Sequence, residues 1–216
     1  MAAPVLYGVR RSVYVRIARL ALEEKGEAYD LDEVDVFAAG GPPADYLSRH
    51  PFGRIPAFEH DGLRLYESGA ITRYVDEAFS GPALQPSGPK ARGRVNQIIS
   101  ILDSYAYRIM VWDVMIERLR AREIYGRDPD EPKIAAALQR AETCCRALVD
   151  LMDNRRFLAG DGVTLADLHA APIFAYFRRT PEGAAMMERH GALERWWIGM
   201  NARPSMVVTR FPVEET

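Results

Sequence analysis

The stretch that decides the fold is HPFGRIPAFEHDGLRLYES, residues 50–68. Two short apolar runs, 57–60 and 63–66, are separated by an Asp-Gly pair, which is a strong signal for a two-residue β-hairpin turn. Proline is poorly tolerated inside a central strand, so Pro56 is expected at the entrance of the first run. There the bond before it can be cis, which leaves the backbone N–H and C=O of Ile55 free for a ligand.

A helix start follows directly at Glu67 and Ser68. The N-terminus of a helix offers unpaired N–H groups and a partial positive charge, which suit a carboxylate. The Glu67 side chain beside it suits an ammonium group. A ligand that carries both an α-amino and an α-carboxylate group would therefore be held here while its peptide backbone pairs with Ile55.

The residues before this stretch predict one β-α-β unit. A short β-type run at 5–7 ends in a glycine, apolar residues recur at helical spacing over 13–25 with Gly26 as a C-terminal stop, and 29–36 alternates like a second strand. A helix between two strands favours a parallel pair, and the hairpin would extend that sheet. A further helix is predicted from Ser68 to about residue 79.

The remainder of the chain reads as helical after the linker SGPALQPSGP. We therefore predict three segments: a first domain over 1–80, a linker over 81–89 and an all-helical domain over 90–216. Thr164 and Asp167 have the spacing of a capping box at a helix start. The predicted helices cover 92–122 as one long amphipathic segment, 133–154, 164–179, 182–189 and 192–202.

Composition excludes several classes of protein. The chain has 216 residues, 48% of them apolar, and a net charge of −2, so no basic surface points to nucleic acid. We expect no signal peptide at MAAPVLYG, no membrane span, and no metal site from the four histidines. The two cysteines, Cys144 and Cys145, are helix neighbours that point to different faces, so a disulfide is not expected. These features favour a cytoplasmic enzyme.

The turn YGVRRSVYVR, residues 7–16, raises a separate question. Ser12 stands where a helix begins and is a favoured N-capping residue. A hydroxyl at that place also suits anion or thiol chemistry, because the helix end carries a partial positive charge. Tyr7 and Tyr14 are alternative hydroxyl groups; Tyr7 lies in a strand run, where core packing is the simpler role.

Taken in order and spacing, five motifs resemble the cytosolic glutathione transferases over essentially the whole chain. The resemblance implies a thioredoxin-like N-terminal domain that binds glutathione, an all-helical C-terminal domain, an apolar co-substrate between the two, and a homodimer. The motifs are LYG…S at 6–12, ARLALEEKG at 18–26, YLSRHPFGRIPAF at 46–58, LYESGAITRYVDE at 65–77 and TLADL at 164–168.

The resemblance also implies roles for single residues. Ser12 is similar to the catalytic serine of the phi- and theta-like classes. Ile55 corresponds to the residue whose backbone pairs with glutathione and Pro56 to the family's cis-proline, while Arg54 takes the place of a Lys or Gln that contacts the tripeptide. The clamp for the γ-glutamyl group would be Glu67 and Ser68.

Other positions depart from the family. Val13 replaces a proline common in serine-type members, and Gly41 and Pro42 stand where several classes carry a basic residue for the glycine carboxylate. Arg54, His50 or Arg11 would have to substitute. The chain is thus expected to be a divergent, bacterial-type member.

The predicted activity is glutathione transfer to a hydrophobic electrophile, in the context of detoxification, with glutathione as co-substrate and no metal. Tyr14, Tyr107 and Trp112 are the residues expected to line the co-substrate pocket. Two alternatives remain: a glutathione-dependent isomerase or dehalogenase, and a non-catalytic interaction protein of the same fold.

Overall fold

A computed structural model of the chain describes residues 3–214, which form two compact units. The first unit runs to Gln85 and takes in the chain again from Arg203, and the second covers Pro86–Ala202. The first unit contains a four-stranded sheet in the order β2-β1-β3-β4. Its elements are β1 (Val5–Tyr7), α1 (Val13–Lys25), β2 (Asp30–Asp32), a 3₁₀ turn (Ala44–Ser48), β3 (Ala57–His60), β4 (Leu63–Tyr66) and α2 (Ser68–Ala78).

The predicted β-α-β unit and hairpin are confirmed. β1 pairs with β2 in parallel and with β3 antiparallel, and β3 pairs with β4 antiparallel. The second strand is shorter than the predicted range of 29–36, because β1 ends at Tyr7 and offers no partner beyond Asp32. The Gly8 N–H closes the ladder on the Asp32 carbonyl at 2.9 Å.

The second unit is helical, as predicted. Its helices lie close to the predicted ranges, except that the segment over 92–122 is not one α-helix. The elements are α3 (Pro89–Ile101), a π-helix (Leu102–Ile116), α4 (Glu117–Tyr125), α5 (Glu131–Met152), α6 (Leu165–Phe177), α7 (Pro181–Arg189) and α8 (Gly191–Asn201).

The π-helix is the main correction to the predicted helices. In a π-helix each N–H bonds the carbonyl five residues back, so residues five apart become neighbours on one face. Arg108 and Asp113 show this spacing, with the Arg108 Nε 3.2 Å from the buried Asp113 carboxylate. Arg140 of α5 bonds the other oxygen of Asp113 at 2.9 Å. The wider turn therefore lets one buried carboxylate meet two arginines.

The last described segment belongs to the first unit. It contains α9 (Pro204–Val208) and a final 3₁₀ turn (Pro212–Glu214). Arg16 and Arg19 of α1 both donate hydrogen bonds to it. From the sequence we predict that all residues from 90 onward belong to the helical domain, because no local signal marks a return of the chain to the first unit.

Glu117 is a buried ion-pair centre of the second unit. Its carboxylate pairs with Arg127 and with Lys133 at 2.7 Å, and it accepts the Asp130 backbone N–H at 3.0 Å. The hydrogen bond from Arg127 is the main cause that lowers the Glu117 pKa to about 2 from its ordinary 4.5. Glu117 thus ties α4 to the start of α5.

We expect Glu117→Gln to lower the free energy of unfolding by about 2 kcal/mol at pH 7, because it leaves two cations without a counter-charge. The folded pKa is depressed, so this stabilisation is complete above pH 4.5 and declines as the pH falls toward 2. The difference between wild type and variant in urea unfolding should therefore narrow in that window. Glu123→Gln, at an exposed pair with Arg120, is the control and should change little. If the difference in unfolding free energy between wild type and Glu117→Gln did not change with pH, the role of the carboxylate charge would be contradicted.

Candidate functional site

Three segments of the first unit meet where β1 ends. A Cβ placed on Gly8 would lie 2.4 Å from Cγ2 of Val15 and 3.2 Å from Cβ of Ile55. With φ at 150° as well, the position accepts only glycine. The end of β1 therefore lets the first turn of α1 and the loop at Ile55 approach each other closely. The sequence marked this glycine only as a strand stop.

Ser12 lies in this corner as the N-cap of α1. Its backbone is extended, and its Oγ accepts the Val15 N–H at 3.4 Å, which is a long hydrogen bond. Among residues 3–214, no group accepts the hydrogen of the Ser12 hydroxyl. The capping role and a donor role are therefore compatible, because one uses the oxygen lone pair and the other uses the hydrogen.

The loop before β3 has the form that the sequence suggested. The bond between Ile55 and Pro56 is cis, and both residues are buried. Within the described part of the chain, the Ile55 N–H and C=O make no hydrogen bond. The Tyr46 hydroxyl donates to the Arg54 carbonyl at 2.7 Å and so fixes the loop from behind. Sequence reasoning missed this contribution of Tyr46, whose side chain is eight residues away from its partner.

The start of α2 faces the same corner. The Ser68 hydroxyl donates to the Tyr14 carbonyl at 3.4 Å, which joins the first turns of α1 and α2. Glu67 precedes it with φ at 70° and ψ at 114°, an uncommon conformation for a residue with a side chain. The exposed Glu67 side chain makes no capping bond, so its carboxylate remains available to a cationic group.

His50 lies near both Glu67 and Arg54. Arg54 is exposed, while His50 is buried against Tyr66 with ring centroids 4.9 Å apart. Burial is the main cause that lowers the pKa of His50. The negative charge of Glu67 acts to raise this pKa, and the positive charge of Arg54 lowers it further. His50 is therefore neutral near pH 7, which favours Arg54 over His50 as the partner of a carboxylate.

Tyr7 and Arg11, two other candidate groups of the turn at residues 7–16, are bonded to carboxylates. The Tyr7 hydroxyl donates to Glu59 at 3.0 Å, and burial raises the pKa of Tyr7. Arg11 pairs with the Asp35 carboxylate at 2.7 Å. Arg10 borders an open cleft of about 600 Å³ formed with the C-terminal half of α1 and β2. The half-buried Tyr14 contributes its carbonyl to Ser68.

Tyr107 and Trp112 lie in the second unit, on the π-helix. They are five residues apart and both half-buried. On an α-helix residues at this spacing do not face each other, but on a π-helix they share a face. The π-helix thus puts these two residues on one face, which the expected α-helix would not have done.

Neither a metal site nor a membrane span emerges from the described residues. Over 3–214 no three side chains of His, Cys, Asp or Glu come together in a way that could hold a metal ion. Within the same range, every helix is too short or too polar to cross a bilayer.

Comparison with known proteins identifies the family. The model of the glutathione S-transferase N-terminal domain matches residues 6–83, and that of the C-terminal domain matches 88–204. Glutathione S-transferase F13 of Arabidopsis thaliana is 28% identical over 204 residues, which cover 94% of this chain and 92% of the relative.

Solved structures agree with the family models. The crystal structure of glutathione transferase F7 from Populus trichocarpa superposes with a TM-score of 0.84 at 27% identity, covering 96% of this chain and 97% of that one. A glutathione S-transferase from Rhodospirillum rubrum gives a TM-score of 0.78 at 28% identity, over 95% and 91% of the two chains. With both domain models matched along nearly the whole sequence, this chain belongs to the glutathione S-transferase family.

Proposed function

We propose that this protein is a serine-type glutathione transferase of a phi- or theta-like kind. The observation that supports this most directly is the corner at the end of β1. There a hydroxyl with a free hydrogen on Ser12, the unbonded backbone of Ile55 and the start of α2 at Ser68 come together. The corner offers partners for a thiol, a peptide backbone and an amino-acid head group.

Glutathione would bind with its γ-glutamyl group at α2. The exposed Glu67 carboxylate would take the ammonium, and the first N–H groups of α2, from Ser68, would take the carboxylate. The backbone of Ile55 would pair with the cysteine of the tripeptide. Arg54 is proposed to contact the glycine end, because His50 is neutral and buried.

The reaction follows from the state of the thiol. A free thiol has a pKa of about 8.5, so roughly 3% is thiolate at pH 7. Donation from the Ser12 hydroxyl and the partial positive charge at the N-terminus of α1 favour the thiolate. The proton leaves to solvent, the sulfur forms a bond to the electrophilic carbon, and the leaving group departs with its electron pair.

The co-substrate is proposed to be a hydrophobic electrophile that contacts Tyr14, Tyr107 and Trp112. Isomerisation or dehalogenation would use the same thiolate, and a panel of aryl halides, isothiocyanates and maleyl compounds separates these reactions. A thiol-disulfide reductase is not supported, because residues 1–143 contain no cysteine. Family membership supports the homodimer, the cytoplasmic location and the role in detoxification that we also propose.

Calorimetry with glutathione tests the proposal at its first step. We expect binding at millimolar glutathione or below, and an about 10-fold weaker Kd for Glu67→Gln, because removal of a charge-assisted contact costs about 1.4 kcal/mol. Asp61→Asn, at an exposed carboxylate in the neighbouring hairpin turn, is the matched control and should bind like wild type. Absence of binding to the wild-type protein at millimolar glutathione would contradict the proposed enzymatic function. It would favour the alternative of a non-catalytic interaction protein of the same fold.

A further inference from the structure

Arg16 is a fully buried arginine one helical turn after Ser12. Its guanidinium donates to the Glu214 carboxylate at 2.6 Å and to the Met206 carbonyl at 3.2 Å. Its carbon Cζ lies 4.3 Å from the centre of the Phe211 ring. An arginine is stable in such surroundings only when its charge and its N–H donors are matched, and here the last described segment of the chain supplies these partners.

The same segment is attached to α1 at two further places. Arg19 donates to the Val208 carbonyl at 3.0 Å, and Arg203 pairs with Glu24 near the end of the helix. Terminal segments are ordinarily poorly ordered unless they are tied down. We call residues 203–214 the C-terminal brace, since they contact α1 along most of its length.

The brace meets α1 at the residue that completes its first turn. The Arg16 N–H donates to the Ser12 carbonyl at 3.0 Å, while the side-chain cap of Ser12 is long at 3.4 Å. The first turn of a helix has few hydrogen bonds and opens easily. Its order therefore depends on how firmly Arg16 is held.

We propose that Arg16 is a positioning residue for Ser12 and that Glu214 of the C-terminal brace is its anchor. Through this pair, the end of the chain sets the orientation of the hydroxyl that activates the thiol. The kinetic part of this inference rests on the proposed function, whereas the structural part does not.

The test removes the pair without a change in net charge, through the double variant Arg16→Met with Glu214→Gln. Replacement of a buried ion pair by uncharged groups of similar size is often tolerated. The matched control, Arg203→Met with Glu24→Gln, detaches the same brace from the other end of the same helix. Glu214→Gln alone, which removes the charge but keeps an oxygen that can accept from Arg16, is the second variant for use if the double variant does not fold.

Amide hydrogen exchange tests the structural part without any activity. We expect exchange of the hydrogen-bonded amides at positions 15 and 16 to be about 10-fold faster in the Arg16/Glu214 variant, because the free energy of opening of this turn falls. In the Arg203/Glu24 control, faster exchange should be confined to the last turn of α1. Unchanged protection at positions 15 and 16 would overturn the proposal, even if the wild-type protein proved to have no transferase activity.

Kinetics test the positioning of Ser12. We expect kcat to fall about 5-fold with little change in the KM for glutathione, and the apparent thiol pKa in the pH profile of kcat/KM to rise toward its free value. The control should keep the wild-type pH profile. Equal pH profiles in the two double variants would show that the brace only stabilises the fold, and would overturn the positioning role.

Discussion

Ser12→Ala is expected to lower kcat/KM at pH 7 by up to about 25-fold while glutathione still binds. Loss of the whole two-unit depression of the thiol pKa, about 2.7 kcal/mol, would reduce the thiolate at pH 7 from roughly 75% to roughly 3%. This is the upper limit, because the helix end that shares the effect remains in the variant. The KM for glutathione should change little, because the proposed binding contacts come from Ile55, Glu67 and Ser68. Steady-state kinetics with an aryl halide over a range of pH measure both parameters, and the apparent thiol pKa should rise toward about 8.5.

The capping role of Ser12 needs its own control. Alanine removes the cap as well as the hydroxyl, at a cost of about 1 kcal/mol, whereas glycine costs only a few tenths. Ser12→Gly should therefore lose as much activity as Ser12→Ala and less stability. Tyr7→Phe should retain activity, because the Tyr7 hydroxyl is bonded to Glu59. Loss of activity in Tyr14→Phe together with near wild-type turnover in Ser12→Ala would move the catalytic role to Tyr14.

Elements with local signals were predictable from the sequence. α1 begins and ends as predicted because Ser12 caps its start and Gly26, with φ at 69°, ends it. The hairpin follows from an Asp-Gly pair in which both residues have positive φ. The predictions for Ile55 and Glu67 also rest on a local motif, the stretch 50–68. Once the sheet is formed, this stretch lies at the corner where β1 ends.

Features that depend on distant partners were not predictable. Arg16 and Glu214 are 198 positions apart, and nothing near either residue indicates that they pair. The π-helix could not be predicted for the same reason, because its spacing accommodates an ion pair between Asp113 and Arg140 of another helix. The need for glycine at position 8 could not be predicted either, since only the folded chain reveals that Val15 and Ile55 leave no room for a side chain there.

Asp167→Ala should produce the largest loss of stability of any variant considered. The buried carboxylate accepts four hydrogen bonds, from the Leu158 N–H at 2.9 Å, the Trp196 Nε1 at 2.8 Å, the Thr164 N–H at 2.8 Å and the Thr164 hydroxyl at 3.0 Å. Burial raises the pKa of Asp167, and these four donors oppose that rise. Alanine would leave the buried N–H groups of Leu158 and Trp196 and the half-buried Thr164 N–H without an acceptor, so we expect the free energy of unfolding to fall by about 4 kcal/mol.

Urea unfolding followed by circular dichroism and by tryptophan fluorescence measures this loss. Asp167→Asn should also be costly, because an amide NH₂ would face two donors in place of one carboxylate oxygen. Asp161→Asn, at an exposed position in the preceding loop, is the control, and an Asp167→Ala midpoint equal to that of this control would contradict the role of the capping box. The two types of variant also separate folding from catalysis: Asp167→Ala should lose activity only as far as it unfolds, whereas Ser12→Gly should lose activity while it stays folded.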